Sequence, residues 1–142
     1  MKRLFSVLIL FFLILQFYPV SRENKAINQP IQVPKDVEAI LRKSCYDCHS
    51  FETKWPMYSY VFPISLFVTK HVNEGREELN FSELGAIAVS KQNKKIYEIW
   101  EEIEENKMPP WDYKLLHPEA NLKPDEIQIL RAWVLAKERE SE

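Results

Sequence analysis

The sequence predicts an all-α fold, and three observations support this prediction. The chain has two glycines and nine prolines among its 142 residues, a composition that disfavours β-hairpins, whose tight turns depend on glycine. Apolar residues recur at helical spacing in several separate stretches. Prolines stand between these stretches, where they end one helix or occupy the first turn of the next. We therefore expect a small helical domain preceded by an N-terminal hydrophobic helix.

The charge and glycine content exclude some classes of partner. The formal net charge is −2, from 19 basic and 21 acidic residues, so nucleic acid is not an expected partner. The two glycines, Gly75 and Gly85, do not form the glycine-rich loop that cradles phosphate groups. A chain of this length is typical of one domain.

Residues 1–21 have the composition of a signal peptide or membrane anchor. Lys2 and Arg3 precede the apolar run Leu4–Val20, and a polar stretch follows. As a helix this run would span about 26 Å, slightly less than a hydrocarbon core of about 30 Å. A small-residue cleavage site is missing near residues 18–21, which favours retention. We expect export to the periplasmic side, with attachment to the inner membrane through residues 4–20 if the segment is retained.

The exported part divides into a linker, residues 22–33, and a helical domain, residues 34–140. Pro34 suits the first turn of a helix, because the N–H that proline lacks has no partner there. Val37, Ile40 and Leu41 then follow at the spacing of one buried helical face.

Three more helices are predicted further along the chain. The second begins near Pro63 and ends around Gly75, and the third covers residues 81–106 with its apolar residues on one face. A proline-marked loop follows. The last helix begins at Pro124, with acidic residues in its first turn that suit the helix dipole.

The stretch "CYDCH" holds both cysteines of the chain, Cys45 and Cys48, followed directly by His49. A zinc site usually needs about four ligands in two pairs, a thioredoxin-like redox pair is expected near a βαβ pattern, and a disulfide here would close only a tiny loop. C-x-x-C-H is the specific signature of covalent haem attachment. The three residues share one face of a helical turn, so two thiols can bind the porphyrin while the imidazole binds the iron.

A haem held by His49 has a second axial position on the iron. Met108 is the leading candidate, because it precedes two prolines that stiffen its loop and because a thioether raises the reduction potential. His71, on the second predicted helix, is the alternative distal ligand. His117 is expected to be a turn residue before Pro118, and Met57 to fill a gap in the core.

Two further residues are expected to support this site. The carbonyl of Pro63 is a candidate acceptor for the second ring nitrogen of His49, an arrangement that orients a ligating imidazole. Arg76 is a candidate partner for a haem propionate, although an arginine on a solvated surface is the commoner case.

Taken together, "CYDCH", "KMPPW" and "LLHPEANLKPDEIQILRAWV" resemble cytochrome c-like proteins, and more closely the small bacterial haem-binding domain family, over residues 30–137. The resemblance implies one covalent haem c per chain, with Cys45 and Cys48 as attachment points and His49 as proximal ligand. It also implies that Trp133 packs against the first helix of the domain. Lys123 departs from the family pattern, which has a serine cap before Pro124.

These observations predict a haem c protein that shuttles single electrons to a redox partner protein without substrate chemistry of its own. The alternative is a haem-based peroxidase-like enzyme or small-ligand sensor, in which the sixth iron ligand is displaceable and His71 serves as distal acid–base. A third hypothesis is an anchored subunit whose haem relays electrons within a larger complex.

Overall fold

The computed structural model describes residues 1–139, and within this range it contains α-helices and short 3₁₀ turns but no β-strand. The α-helices are α1 (Lys2–Leu15), α2 (Lys35–Ser44), α3 (Tyr46–His49), α4 (Ile64–Glu78), α5 (Val89–Glu104), α6 (Trp111–Leu116) and α7 (Pro124–Arg139). The 3₁₀ turns are Met57–Tyr60, Leu84–Ala86 and Pro118–Ala120. The all-α prediction is confirmed over the described residues, whereas the predicted domain end at residue 140 lies outside them.

The hydrophobic core lies where α7 packs against both α2 and α5. Leu41 of α2, Ile96 of α5 and Leu130 of α7 are at most 1% exposed, so each removes nearly its whole side chain from water. Burial of a leucine or isoleucine side chain contributes about 1.5–3 kcal/mol. Trp133 lies in the same buried cluster as Ile40. The core therefore supports α2, whose C-terminal end leads into the "CYDCH" turn.

Lys123 precedes α7 as its N-cap residue and has no side-chain oxygen to cap the helix. Its carbonyl nevertheless accepts the first helical hydrogen bond, from Ile127 N–H at 2.9 Å. The carboxylate of Glu126 accepts the Lys123 N–H at 2.8 Å and also binds the ammonium group of Lys43 on α2 at 2.5 Å. Burial alone would raise the pKa of Glu126, but these two donors outweigh it and lower that pKa. The helix start is therefore stabilised from its third residue.

The third predicted helix is wrong over its first eight residues, since α5 begins only at Val89. Phe81 and Leu84 are buried, at 1% and 4% exposure, but they fill the core from a turn rather than from a helix. The backbone of Phe81 binds other segments instead: its N–H donates to the carbonyl of His49 at 2.8 Å, and its carbonyl accepts the N–H of Ile31 at 3.0 Å. The second predicted helix also continues past Gly75, because α4 ends at Glu78.

The segment 22–33 is bonded to the domain near both of its ends. Ile31 is 7% exposed and donates its N–H to the carbonyl of Phe81 at 3.0 Å. Further along, the N–H of Gly85 donates to the carbonyl of Gln29 at 2.9 Å. These bonds make the N-terminal segment part of the folded unit.

Helix α1 has no buried residue. Its side chains from Leu4 to Ile14 are apolar apart from Ser6. Among residues 1–139, no helix combines the length and the apolar character needed to cross a membrane.

We expect Lys123→Ser to stabilise the domain by about 1 kcal/mol, because a serine hydroxyl at the N-cap accepts a free N–H of the first turn. With Glu126 already bound to the N-cap N–H, serine would complete a capping box. Thermal unfolding measures the change. Lys123→Ala is the matched control, since it removes the lysine side chain without supplying an oxygen; equal stabilities for the two variants would contradict the assignment of Lys123 as N-cap.

Candidate functional site

The "CYDCH" turn directly follows α2. Cys45 interrupts the helix with φ −128° and ψ −34°, and α3 then forms a single turn. The carbonyl of Cys45 closes this turn by accepting the N–H groups of Cys48 at 3.2 Å and His49 at 3.0 Å. This interruption takes the turn off the axis of α2. Cys45, Cys48 and His49 nevertheless face the same side.

A cavity of about 820 Å³ opens in front of this turn, with lining from α3, α4, α5 and the segment around residues 108–116. Five of the six residues singled out from the sequence as possible haem contacts line it: Cys45, Cys48, His49, His71 and Met108. The sixth, Arg76, lies outside the lining. Met108 and the "CYDCH" turn are far apart in the chain, so only the tertiary fold brings them to one space.

The imidazole of His49 is held by α4. Its Nδ1 lies 2.8 Å from the carbonyl oxygen of Gly75 and 3.1 Å from that of Leu79. Because carbonyl oxygens only accept, we assign the proton to Nδ1, which leaves Nε2 as the free acceptor. Burial lowers the pKa of His49 and so favours the neutral ring. The expectation that Pro63 supplies this carbonyl is therefore wrong: Pro63 lies ahead of α4, whereas the carbonyls that hold His49 belong to the C-terminal end of that helix.

Gly75 allows α4 to approach the turn this closely. A Cβ atom on Gly75 would lie 2.7 Å from the carbonyl oxygen of Cys48, nearer than non-bonded atoms tolerate. Any larger residue would therefore displace α4 from the turn, together with the carbonyl that holds His49. The conformational freedom of glycine is not needed here, since Gly75 sits in regular helix.

Both cysteines are free thiols. Burial raises the pKa of Cys45 to about 12 and that of Cys48 to about 11, so both stay protonated near neutral pH. A catalytic or redox-active cysteine usually has a lowered pKa. These surroundings do not favour the redox-pair alternative, and the structure shows no disulfide between the two.

The two candidate distal ligands lie on different structural elements, one on a loop and the other on a helix. Met108 belongs to the loop after α5, is 37% exposed, and donates its N–H to the carbonyl of Glu102 at 3.1 Å. His71 lies on α4, one turn before Gly75, and is exposed. Met57 was expected in the core, but it is 88% exposed because it lies in a surface 3₁₀ turn.

His117 lies outside the cavity lining. Its Nε2 is 2.6 Å from the hydroxyl of Tyr58, and its Nδ1 is 3.2 Å from the carboxylate of Glu119. The ring also stacks on Tyr113, with centroids 4.4 Å apart. These contacts support the expectation that it is a turn residue.

Sequence reasoning missed Asp47 and Tyr113. The Tyr113 hydroxyl donates to a carboxylate oxygen of Asp47 at 2.8 Å, and the other oxygen of Asp47 accepts the N–H of Lys54 at 3.0 Å. Burial and the neighbouring carboxylate raise the pKa of Tyr113. The bond ties α6 to the residues between the two cysteines. Their separation in sequence left no pattern from which this pairing could be predicted.

Arg76 binds protein oxygens and is not free for a haem propionate. Its guanidinium group donates to the carbonyls of Ser50 at 2.8 Å and Glu23 at 2.9 Å, and to the side chain of Asn24 at 2.7 Å.

Within the described part of the chain, Ser44 Oγ is buried without a hydrogen-bond partner, and Ser44 lines the cavity. A bound group with an acceptor could satisfy this hydroxyl.

The comparisons with known proteins give one match. A family model described as a haem-binding domain matches residues 10–136, which include the whole cavity lining. No curated protein and no solved structure matches the chain.

We expect Gly75→Ala to destabilise the protein by about 1–3 kcal/mol, because the added methyl group overpacks the contact with Cys48. The same change should lengthen the hydrogen bond to His49 and shift the ring ¹⁵N resonances of that residue in NMR spectra. Gly85→Ala is a matched control, because its Cβ would also lie 2.7 Å from backbone oxygens, those of Gln29 and Pro30. Gly85→Ala should leave the His49 resonances unchanged. If Gly75→Ala leaves them unchanged as well, α4 does not set the position of that ring.

Proposed function

Because the chain belongs to the haem-binding domain family, we propose that its cavity holds one covalently attached haem c and that the protein carries single electrons. One observation supports this most strongly: Cys45, Cys48, His49 and Met108 line a single cavity. That set provides two thiols for attachment, a nitrogen ligand and a sulfur ligand. When bound, haem supplies an iron that cycles between the ferric and ferrous states.

The residues at the site fit this group. Each thiol, Cys45 and Cys48, would add across one vinyl group, forming a carbon–sulfur bond and passing its proton to the other vinyl carbon, so the step needs no oxidant. The raised thiol pKa values keep that proton in place before attachment. Apolar side chains such as Val72, Phe81 and Ile103 contribute to the lining and would exclude water from the ring faces.

His49 is the proposed proximal ligand. Its Nδ1–H is held by the carbonyls of Gly75 and Leu79, so Nε2 is the nitrogen available to iron. A hydrogen bond to the ring nitrogen that does not bind the metal fixes the tautomer of a ligating imidazole and increases its basicity. We infer that α4 both orients the ring and tunes the iron through it.

Met108 is the proposed sixth ligand. A thioether favours ferrous iron and raises the reduction potential of a haem. The buried Pro109 and the half-buried Pro110 follow it, so the loop that carries the sulfur is stiff. A rigid ligand pair changes little when an electron arrives, which suits a carrier.

A sensor or peroxidase-like enzyme is the second candidate, and His71 favours it. This side chain lines the same cavity and is exposed, so it could bind iron in place of Met108 or donate a proton to a small ligand. The exposed loop of Met108 would then allow the sulfur to leave.

We further propose that the protein acts on the periplasmic side of the membrane and passes electrons to a redox partner protein. The apolar segment after Lys2 and Arg3 supports export. The family match begins at residue 10, inside α1. The lack of a small-residue cleavage site near residues 18–21 supports retention of α1 as an anchor.

Covalent attachment predicts that the purified protein, matured in a host that attaches haem c, gains the mass of one haem that acid–acetone extraction does not remove. Replacing both Cys45 and Cys48 with alanine should leave the haem extractable, because His49 and Met108 hold it without a covalent bond. Mass spectrometry before and after extraction measures this. A wild-type protein with the mass of the polypeptide alone would refute the attachment.

Met108→Ala should convert a six-coordinate low-spin haem into a high-spin form that binds carbon monoxide, since it removes the sulfur ligand. The reduction potential should fall as well. Met57→Ala is the matched control, because Met57 lies outside the cavity lining. Absorption spectra of both oxidation states decide the outcome. A low-spin spectrum that survives Met108→Ala but is lost in His71→Ala would assign the sixth position to His71.

A further inference from the structure

We propose that α1 and an exposed apolar patch beside the cavity together form one lipid-binding surface, which holds the open side of the cavity against the membrane. This inference rests on the proposed retention of α1 as an anchor. We define the apolar patch as Met57, Tyr60, Val61, Phe67, Trp111 and Leu115. A flexible tether would leave the orientation of the domain undefined, whereas this arrangement defines it.

The apolar character of α1 on every side indicates that its partner is lipid. Its residues from Leu4 to Ile14 are exposed and, except for Ser6, apolar on every side. A groove on a protein partner would cover only one face of such a helix, whereas insertion into the acyl region of one leaflet, without crossing the membrane, covers all of them. Lys2 and Arg3 at its N-terminal end suit the headgroup region.

The end of α1 is attached to the domain beside the cavity. The side-chain oxygen of Gln16, the residue after α1, accepts the N–H of Phe62 at 3.0 Å. Tyr18 then packs on the Phe62 ring, with centroids 6.0 Å apart. Arg22 donates to the carbonyl of Ser59 at 2.8 Å.

These contacts continue along residues 22–24, which we call the strap. The guanidinium group of Arg22 also lies 4.4 Å from the ring centroid of Tyr60. Asn24 donates to the carbonyl of Thr53 at 3.0 Å, and Arg76 binds Glu23 and Asn24 from α4. The strap thus transmits the position of α1 to the segment that leads into α4.

The apolar patch lies on the segments that the strap holds. Met57, Tyr60 and Val61 are 88%, 58% and 42% exposed, and they lie outside the cavity lining, so a bound haem would not cover them. Phe67 follows on α4, is 63% exposed, and lines the cavity. Tyrosine and other amphipathic aromatic residues favour the membrane–water interface.

The patch includes residues of α6, which also lines the cavity. The bond between Tyr58 and His117 joins the Met57–Tyr60 turn to the end of α6. Trp111 and Leu115 of α6 are 76% and 72% exposed, and Trp111 lines the cavity. Exposed apolar residues therefore lie on two parts of the chain that border the cavity, the segment leading into α4 and α6. A large exposed apolar patch of this kind marks an interaction surface.

The test uses the full haem-loaded chain, in which Cys45 and Cys48 are occupied, with a nitroxide spin label on Leu115→Cys. Leu135→Cys is the matched control, a leucine of α7 that is 46% exposed and lies outside the cavity lining. On addition of phosphatidylcholine vesicles, the collision rate of the Leu115 label with oxygen should rise severalfold relative to that with a water-soluble nickel chelate. The Leu135 label should keep its ratio.

Two outcomes would overturn the proposal. One is vesicle-bound protein in which both labels stay accessible to nickel, which means that α1 is a loose tether. The other is protection of the Leu115 label without vesicles, together with a dimer in sedimentation velocity, which means that a second copy covers the patch. The double variant Gln16→Ala/Arg22→Ala should restore nickel access at position 115 while the protein still co-sediments with vesicles; continued protection would refute the role of Gln16 and Arg22 in fixing α1 to the domain. Haem content, measured separately by absorbance, distinguishes a failure of this inference from a failure of the proposed function.

Discussion

The close contact between α4 and the "CYDCH" turn is the constraint on which the site depends. It exists because Gly75 has no side chain, so the helix backbone reaches the carbonyl of Cys48. The same approach brings the carbonyls of Gly75 and Leu79 to His49 Nδ1. Packing and hydrogen bonding are thus coupled at one residue: the geometry that requires glycine also determines which nitrogen of His49 is free.

The rest of the fold holds the turn from its other sides. The buried core joins α2 to α7, and Lys43 and Glu126 link the same two helices at their ends. The hydroxyl of Tyr113 binds Asp47 between the two cysteines. With α4 packed on the turn, α7 packed on α2, and α6 bonded to Asp47, the residues of the "CYDCH" turn have little freedom to move. A rigid site of this kind suits a bound group whose charge changes without any change in shape.

The N-terminal segment contributes to this arrangement as well. Arg76 lies on the same helix as Gly75, and it binds both Ser50, directly after the turn, and the strap at Glu23. One helix therefore positions His49 and fixes the chain that leads back to α1. If α1 is an anchor, the orientation of the site relative to the membrane follows from the same contacts that build the site.

The sequence by itself determined the all-α class and the start of α2 and α7, and it pointed to Cys45, Cys48 and His49 as a candidate haem site, because helical periodicity, prolines and the C-x-x-C-H spacing are local patterns. Its errors lay where local pattern and tertiary packing disagree. Phe81 lies at the start of the predicted third helix, yet its backbone binds distant segments. Pro63 was the predicted partner of His49, yet carbonyls at the other end of α4 hold that ring. Only the tertiary structure decided which carbonyls hold that ring and that Met108 shares its cavity. These are contacts between residues far apart in the chain, and local residue preferences do not specify them.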